Sequence, residues 1–131
     1  LFSKGYSFYL RSNQLPEAIV CMRETMKYAY ASEQDLYPVR LCFEVLIRNH
    51  KDGSGLKMVE TILNEFPQDT PLSNLVKMVV DSIKIKDFLM FKTFLNTYKP
   101  ELMRDGQFPE YLDRIAKYYF NDTIKQANPM Q

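Results

Sequence analysis

The sequence predicts an all-α protein of about seven helices. Two observations carry this. Apolar residues recur at helical spacing along the whole chain, and no segment alternates apolar and polar residues long enough to make a strand. A third observation, the even spacing of the helix starts, sets the architecture once the helices are placed.

Phe2 to Leu10 reads as a short first helix closed by the polar stretch Arg11-Ser12-Asn13-Gln14. Pro16 fits the first turn of a second helix, where a missing N–H costs nothing, and Ile19, Met22, Met26, Ala29 and Tyr30 form its apolar stripe. A third helix takes Asp35 as N-cap, because a start at Ser32 would leave Pro38 deep in its interior. Its stripe is Val39, Phe43, Leu46 and Ile47. Asp52-Gly53-Ser54-Gly55 is the clearest turn, and Ser54 is expected to cap a fourth helix. That helix carries Leu56, Val59, Leu63 and Phe66 and ends before Pro67.

Thr70-Pro71 supplies a cap followed by an N1 proline for a fifth helix, whose stripe is Leu72, Leu75, Val76, Val79 and Ile83. Asp87 can cap a sixth, with Phe88, Phe91, Leu95 and Tyr98 on one face, and Pro100 is expected to stop it. Leu102 to Gly106 reads as a connector. Pro109 then opens a seventh helix with Leu112, Ile115 and Tyr119 aligned. Residues 121–131 have no period and read as a frayed tail.

The first, third and fifth helices start near Phe2, Leu36 and Pro71, which puts the starts 34 and 35 residues apart. Helix–turn–helix repeats of the tetratricopeptide kind have a period of about 34 residues. The expected architecture is therefore an α-solenoid of stacked antiparallel helix pairs, tetratricopeptide-like, occupying residues 1–120. The chain begins at Leu1 rather than Met and reads as the C-terminal helical-repeat domain of a longer protein.

Composition excludes several function classes. Seventeen Lys and Arg face sixteen Asp and Glu, a formal net charge of +1. A nucleic-acid binder needs a cationic excess for its phosphate contacts, and membrane-surface attachment needs a polybasic segment. No apolar run approaches a membrane span, so no direct membrane insertion is expected. Cys21 and Cys42 have neither redox nor zinc spacing and read as small apolar side chains in a reducing compartment.

Candidates for chemistry are few. His50 is the single histidine and falls at the end of the third helix, where a cation is favoured by the dipole, so it reads as a C-terminal capping residue. Glu17, Glu24, Glu44 and Glu60 fall on polar faces, solvated or paired within their helices. No phosphate loop, nucleophile elbow or zinc-binding helix motif occurs. Neither a catalytic residue nor a cofactor is expected.

The aromatic load is more informative. Nine Tyr and nine Phe concentrate after residue 88, and the last two helices are apolar over more than one stripe. Surplus apolar surface calls for a second partner, and Tyr-rich patches suit interface anchors. The expected partner groove comprises Leu89, Phe94, Tyr98, Leu102 and Phe108 from the sixth helix and the connection after it. Tyr111, Leu112, Ile115, Tyr118 and Tyr119 complete it from the seventh. Arg104, Asp105, Asp113 and Arg114 are adjacent charge pairs flanking one loop. Pairing of Arg104 with Asp113, or Asp105 with Arg114, would clip that loop to the last helix, worth about 0–1 kcal/mol if exposed.

The run Tyr98-Lys99-Pro100-Glu101-Leu102-Met103-Arg104-Asp105, then Tyr111-Leu112-Asp113-Arg114-Ile115 and Tyr119-Phe120, resembles the C-terminal signature of a targeting-factor family. Ser32-Glu33-Gln34-Asp35-Leu36-Tyr37 and Thr70-Pro71-Leu72-Ser73-Asn74 are similar to two further helix starts of that family. The family is the adaptor subunit of the guided entry pathway for tail-anchored proteins, its fourth factor, also called the small subunit of the transmembrane-domain recognition complex. The sequence departs from it at Pro38 and in stopping at Gln131, where animal members continue with a longer tail. The resemblance implies a cytosolic, non-enzymatic α-solenoid without a cofactor. Its N-terminal half would dock on a targeting ATPase. Its C-terminal half, which this chain resembles, would hold a ubiquitin-like partner or a BAG-domain scaffold. Two other readings stand beside it: a generic tetratricopeptide-like scaffold or co-chaperone clamp, which calls for a basic concave face, and an all-α enzyme, for which the lone His50 is a poor start.

Overall fold

The structure, a computed structural model, describes residues 14–122 of the 131. Among the described residues there is no strand, and seven α-helices and one 3-10 turn follow one another. We label them α1 (Leu15–Met26), α2 (Leu36–Arg48), α3 (Ser54–Glu65), α4 (Pro71–Ile85), α5 (Phe88–Thr97), α6 (Lys99–Leu102) and α7 (Phe108–Phe120), with the 3-10 turn at Ala31–Glu33. The helix expected over Phe2 to Leu10, and the tail from residue 123 onward, lie outside the described residues. The chain divides into two compact units, Leu1–Asp69 and Thr70–Gln131.

In the first unit α2 and α3 form a helix hairpin, and α1 packs on both. Every residue of the expected α2 stripe is buried, and Leu36, Leu41, Cys42 and Val45 join it, so α2 is apolar nearly all round and central to its unit. Burial pushes the Cys42 thiol up, which keeps it protonated and inert. Arg23 fastens α1 to the end of α3. Its guanidinium pairs with the Glu65 carboxylate, donates to the Glu65 carbonyl at 3.3 Å, and lies 4.8 Å from the centroid of the Phe66 ring. Gln34 closes the C-terminal end of α1 by donating to the carbonyls of Met26 at 2.7 Å and Ala29 at 3.0 Å.

Several local expectations are corrected here. α1 ends at Met26, so Ala29 and Tyr30 lie past it and Tyr30 is exposed; the buried stripe is Leu15, Ala18, Ile19, Met22 and Thr25. Asp35 stands at the N-cap of α2, but its backbone is already helical (φ −73°, ψ −19°), and its side chain makes no capping bond. A capping oxygen needs an extended backbone at its own residue to reach the N2 or N3 amide. Ser54 is the first residue of α3 rather than its cap. The cap is Gly53 at φ +74°, a conformation that favours glycine, and Asp52 Oδ1 accepts from the Ser54 N–H at 3.0 Å. The buried face of α3 is Gly55, Met58, Val59 and Ile62; Leu56 and Leu63 are half-buried, so the core face is rotated by about one residue from the expected stripe.

In the second unit α4 and α5 form the hairpin, and α6 touches both. The expected α4 stripe is buried throughout. Thr70 and Asp87 are extended at the N-caps of α4 and α5 and accept from Ser73 N at 3.1 Å and Met90 N at 3.0 Å. The turn between them closes as a Schellman motif: Lys86, at φ 58°, donates its N–H to Ile83 O at 3.1 Å, and Asp87 donates to Ser82 O at 3.0 Å. Pro100 does not simply stop α5. That helix ends at Thr97, and Pro100 sits in the first turn of the short α6, where its missing N–H has no role. The ring of Phe120, at the end of α7, lies 5.2 Å from Phe88 and 5.0 Å from Phe91, joining the two ends of the unit's aromatic segment.

Candidate partner-binding site

The aromatic segment after residue 88 is carried by α5, α6 and α7. α5 is fixed by Phe91 and Leu95, which are buried on its inner side. α7 is fixed by Phe108, Leu112, Ile115 and Ala116, all 1% exposed or less. Pro109 in its first turn and Asn121 in the left-handed conformation at its end set the limits of α7.

The residues expected to form a partner groove separate into three groups. Phe108, Leu112, Ile115 and Leu102 are core residues. Phe108 and Ile115 have no exposed surface at all, so a partner cannot reach them; their helix buries them first. Phe94, Tyr98, Tyr111 and Tyr119 are half-buried, and the Tyr111 hydroxyl donates at 2.9 Å to Oε1 of Gln107, the N-cap residue of its helix. Leu89 and Tyr118 are open to solvent at 70% and 42%. Met103, which sequence reasoning passed over, is 67% exposed.

The charged residues of the loop make local pairs. Arg104 Nη1 lies 3.0 Å from Glu101 Oε1, one turn back. Asp105 Oδ1 accepts from the Gln107 N–H at 2.9 Å and shapes the turn into α7. Asp113 is buried on α7, and Lys117 Nζ lies 3.7 Å from its carboxylate. Arg114 is exposed on the same helix.

Between α5, α6 and α7 lies an open groove of about 380 Å³. Leu95, Leu102, Met103 and Leu112 give it an apolar floor, Pro109 one wall, and Lys92, Asn96 and Lys99 a polar edge. Lys92 and Asn96 are one turn apart on α5, and Lys99 opens α6. Lys92 Nζ sits 5.0 Å from the Phe88 ring centroid, which orients the cation without neutralising it.

Other chemistry is accounted for structurally. His50 Nδ1 is 2.8 Å from the carbonyl oxygen of Ile47 and donates to it at the end of α2, the capping role its position implied. Glu24 pairs with Lys27 at 2.8 Å and Glu44 with Arg48 at 3.8 Å along their own helices. Among the described residues no cluster of His, Cys, Asp and Glu could hold a metal ion, and no helix is long and apolar enough to cross a membrane.

The sequence matches the family of Golgi to ER traffic protein 4 over residues 3–131. A Golgi to ER traffic protein 4 homolog B from Xenopus laevis is 26% identical over 133 aligned positions, covering 97% of this chain and 41% of that protein. A homolog from Takifugu rubripes is 25% identical, covering 82% of this chain and 36% of the relative. One from Dictyostelium discoideum is 28% identical, covering 72% and 31%. The chain thus spans roughly a third to two fifths of the length of these relatives. With nearly the whole chain inside the family match, it belongs to the Golgi to ER traffic protein 4 family.

Proposed function

We propose that this chain is part of a non-enzymatic, cytosolic adaptor in the targeting of tail-anchored membrane proteins to the endoplasmic reticulum. In this reading its C-terminal helices hold a ubiquitin-like or BAG-domain partner, and a targeting ATPase is engaged by sequence outside this chain. Family membership supports the pathway, through relatives named for Golgi to ER traffic. One observation carries the partner face: Leu89, Met103 and Tyr118 are large apolar side chains left 70%, 67% and 42% exposed on the elements that bear the aromatic segment. Exposed aromatic and aliphatic side chains of this kind suit the anchors of an interface hot spot.

The test is binding of the purified chain to a purified ubiquitin-like protein and to a BAG-domain scaffold, each measured by calorimetry. Leu89→Asp/Tyr118→Glu should keep its circular dichroism and melting temperature and lose at least about tenfold in affinity, because both changes are made at exposed positions. Absence of binding to both proteins by the unmodified chain refutes the partner assignment.

A further inference from the structure

We infer that Thr70 is a phosphorylation site for a proline-directed protein kinase, and that the phosphate, once attached, takes over the N-cap of α4. Of the seven prolines in the chain, only Pro71 follows a serine or threonine. A residue without an N–H suits a kinase pocket that offers that position no hydrogen-bond acceptor. Residues 66–70 form neither helix nor strand and run up to the boundary between the two compact units. Pro67 and Asp69 are exposed, and Gln68 and Thr70 are half-buried. Thr70 is extended (φ −122°, ψ 156°), so its hydroxyl can be presented in line to a γ-phosphorus. Thr61, Thr93 and Thr97 instead sit inside helices and donate to the carbonyls four residues back. Helix ends fray, so Pro71 can leave the first turn of α4 and follow Thr70 into the cleft. MgATP supplies the phosphoryl group. The bond from Thr70 Oγ1 to the γ-phosphorus forms as the bond from that phosphorus to the ADP oxygen breaks, and the hydroxyl proton passes to the catalytic aspartate of the kinase.

The same oxygen has a structural task. It accepts from Ser73 N at 3.1 Å, while the Thr70 carbonyl takes the Asn74 amide at 3.0 Å. A phosphate puts three acceptor oxygens and about two negative charges at this place. They suit the amides of Leu72 and Ser73, which no carbonyl within α4 can pair, and the positive end of the helix macrodipole. α4 has no acid in its first turn to compete for the position. Of the acids that precede it, Glu65 is paired with Arg23, and Asp69 is exposed, so solvent and salt screen its repulsion. Phosphorylation thereby firms the start of the second unit, at a position in the sequence outside α5, α6 and α7.

The experiment treats the intact chain, and a synthetic peptide of residues 64–76, with a purified proline-directed kinase and MgATP. The folded chain should take up one phosphate, placed on Thr70 by mass spectrometry, at a rate within about tenfold of the peptide's, since only a helix end has to open. Pro71→Ala adds an amide that the pocket cannot pair and should slow both by at least about tenfold. Thr70→Ser keeps the capping oxygen and should remain a substrate, whereas Thr70→Val should take up none. In the phosphorylated chain, hydrogen exchange at the Leu72 and Ser73 amides should slow by at least about threefold. A peptide that does not react, a folded chain that stays unmodified while the peptide reacts, or phosphate on another residue overturns the site. Exchange at Leu72 and Ser73 that is unchanged or faster overturns the cap. Neither readout involves the ubiquitin-like or BAG-domain partner, so failure here leaves the adaptor reading standing, and failure of that reading leaves the site standing.

Discussion

Single residues decide where the helices begin and end, and their contributions are measurable one at a time. Thr70 is extended and accepts from Ser73 N, so it satisfies an amide that α4 cannot pair internally. Thr70→Ala should cost about 1 kcal/mol in chemical denaturation, and a loss below about 0.3 kcal/mol would mean that water replaces the cap. Lys86 closes the same helix in the left-handed conformation, where a Cβ is strained. Lys86→Gly should therefore stabilise by about 0.5–1 kcal/mol, although glycine lowers stability at most helical positions. Asp52 illustrates the electrostatic side. The Ser54 amide donates to its carboxylate and lowers its pKa below the ordinary 3.8. A depressed carboxylate stabilises the folded state above its unfolded value, and that contribution fades as pH falls through the folded one. Carbon-detected NMR of the Asp52 carboxyl should show a midpoint below 3.8 that rises toward it in Gly53→Pro, where the turn cannot keep its positive φ.

At the scale of elements, the sequence was most legible where a cap and a long stripe agree. α4 has both, in Thr70-Pro71 and in Leu72, Leu75, Val76, Val79 and Ile83, and every part of it is as expected. α3 has no strong cap, and its bulky leucines drew the stripe toward Leu56 and Leu63; the structure instead buries the smaller Gly55 beside Met58 and Ile62. α6 was hidden because a proline two residues past the last aromatic of a helical stripe looks like a stop, while the same proline is well suited to open the next turn. The candidate site was legible as a region and not as a set of residues. Periodicity reports which residues are apolar, but burial depends on which side of each helix finds a neighbour. Phe91 and Leu89 are two positions apart on α5, and one has no exposed surface while the other is 70% exposed. Phe91→Ala should thus cost about 3–5 kcal/mol in urea unfolding, through lost burial and the cavity left against Phe88 and Phe120. Leu89→Ala should stay within about 0.5 kcal/mol. Similar losses for both would mean that Leu89 packs in solution and is no partner contact.

For the molecule as a whole, the charge balance constrains how any partner is found. A formal net charge of +1 produces little field beyond a Debye length of about 8 Å at physiological salt. The cations at the groove edge are consequently a short-range device: they select among ligands already in contact and do not draw them from a distance. The exposed side chains Leu89, Met103 and Tyr118 point the same way, since apolar anchors act on dissociation far more than on encounter. Stopped-flow association of the chain with its ubiquitin-like or BAG-domain partner should accordingly slow by less than about tenfold between low and physiological salt. Lys92→Glu/Lys99→Glu should raise the dissociation rate and leave the association rate within about threefold, because two groove-edge charges on a nearly neutral chain change contact energy more than steering. An association rate that collapses on adding salt would instead demand a strong cationic field. With sixteen acids set against seventeen bases, that field would have to come from sequence outside these residues.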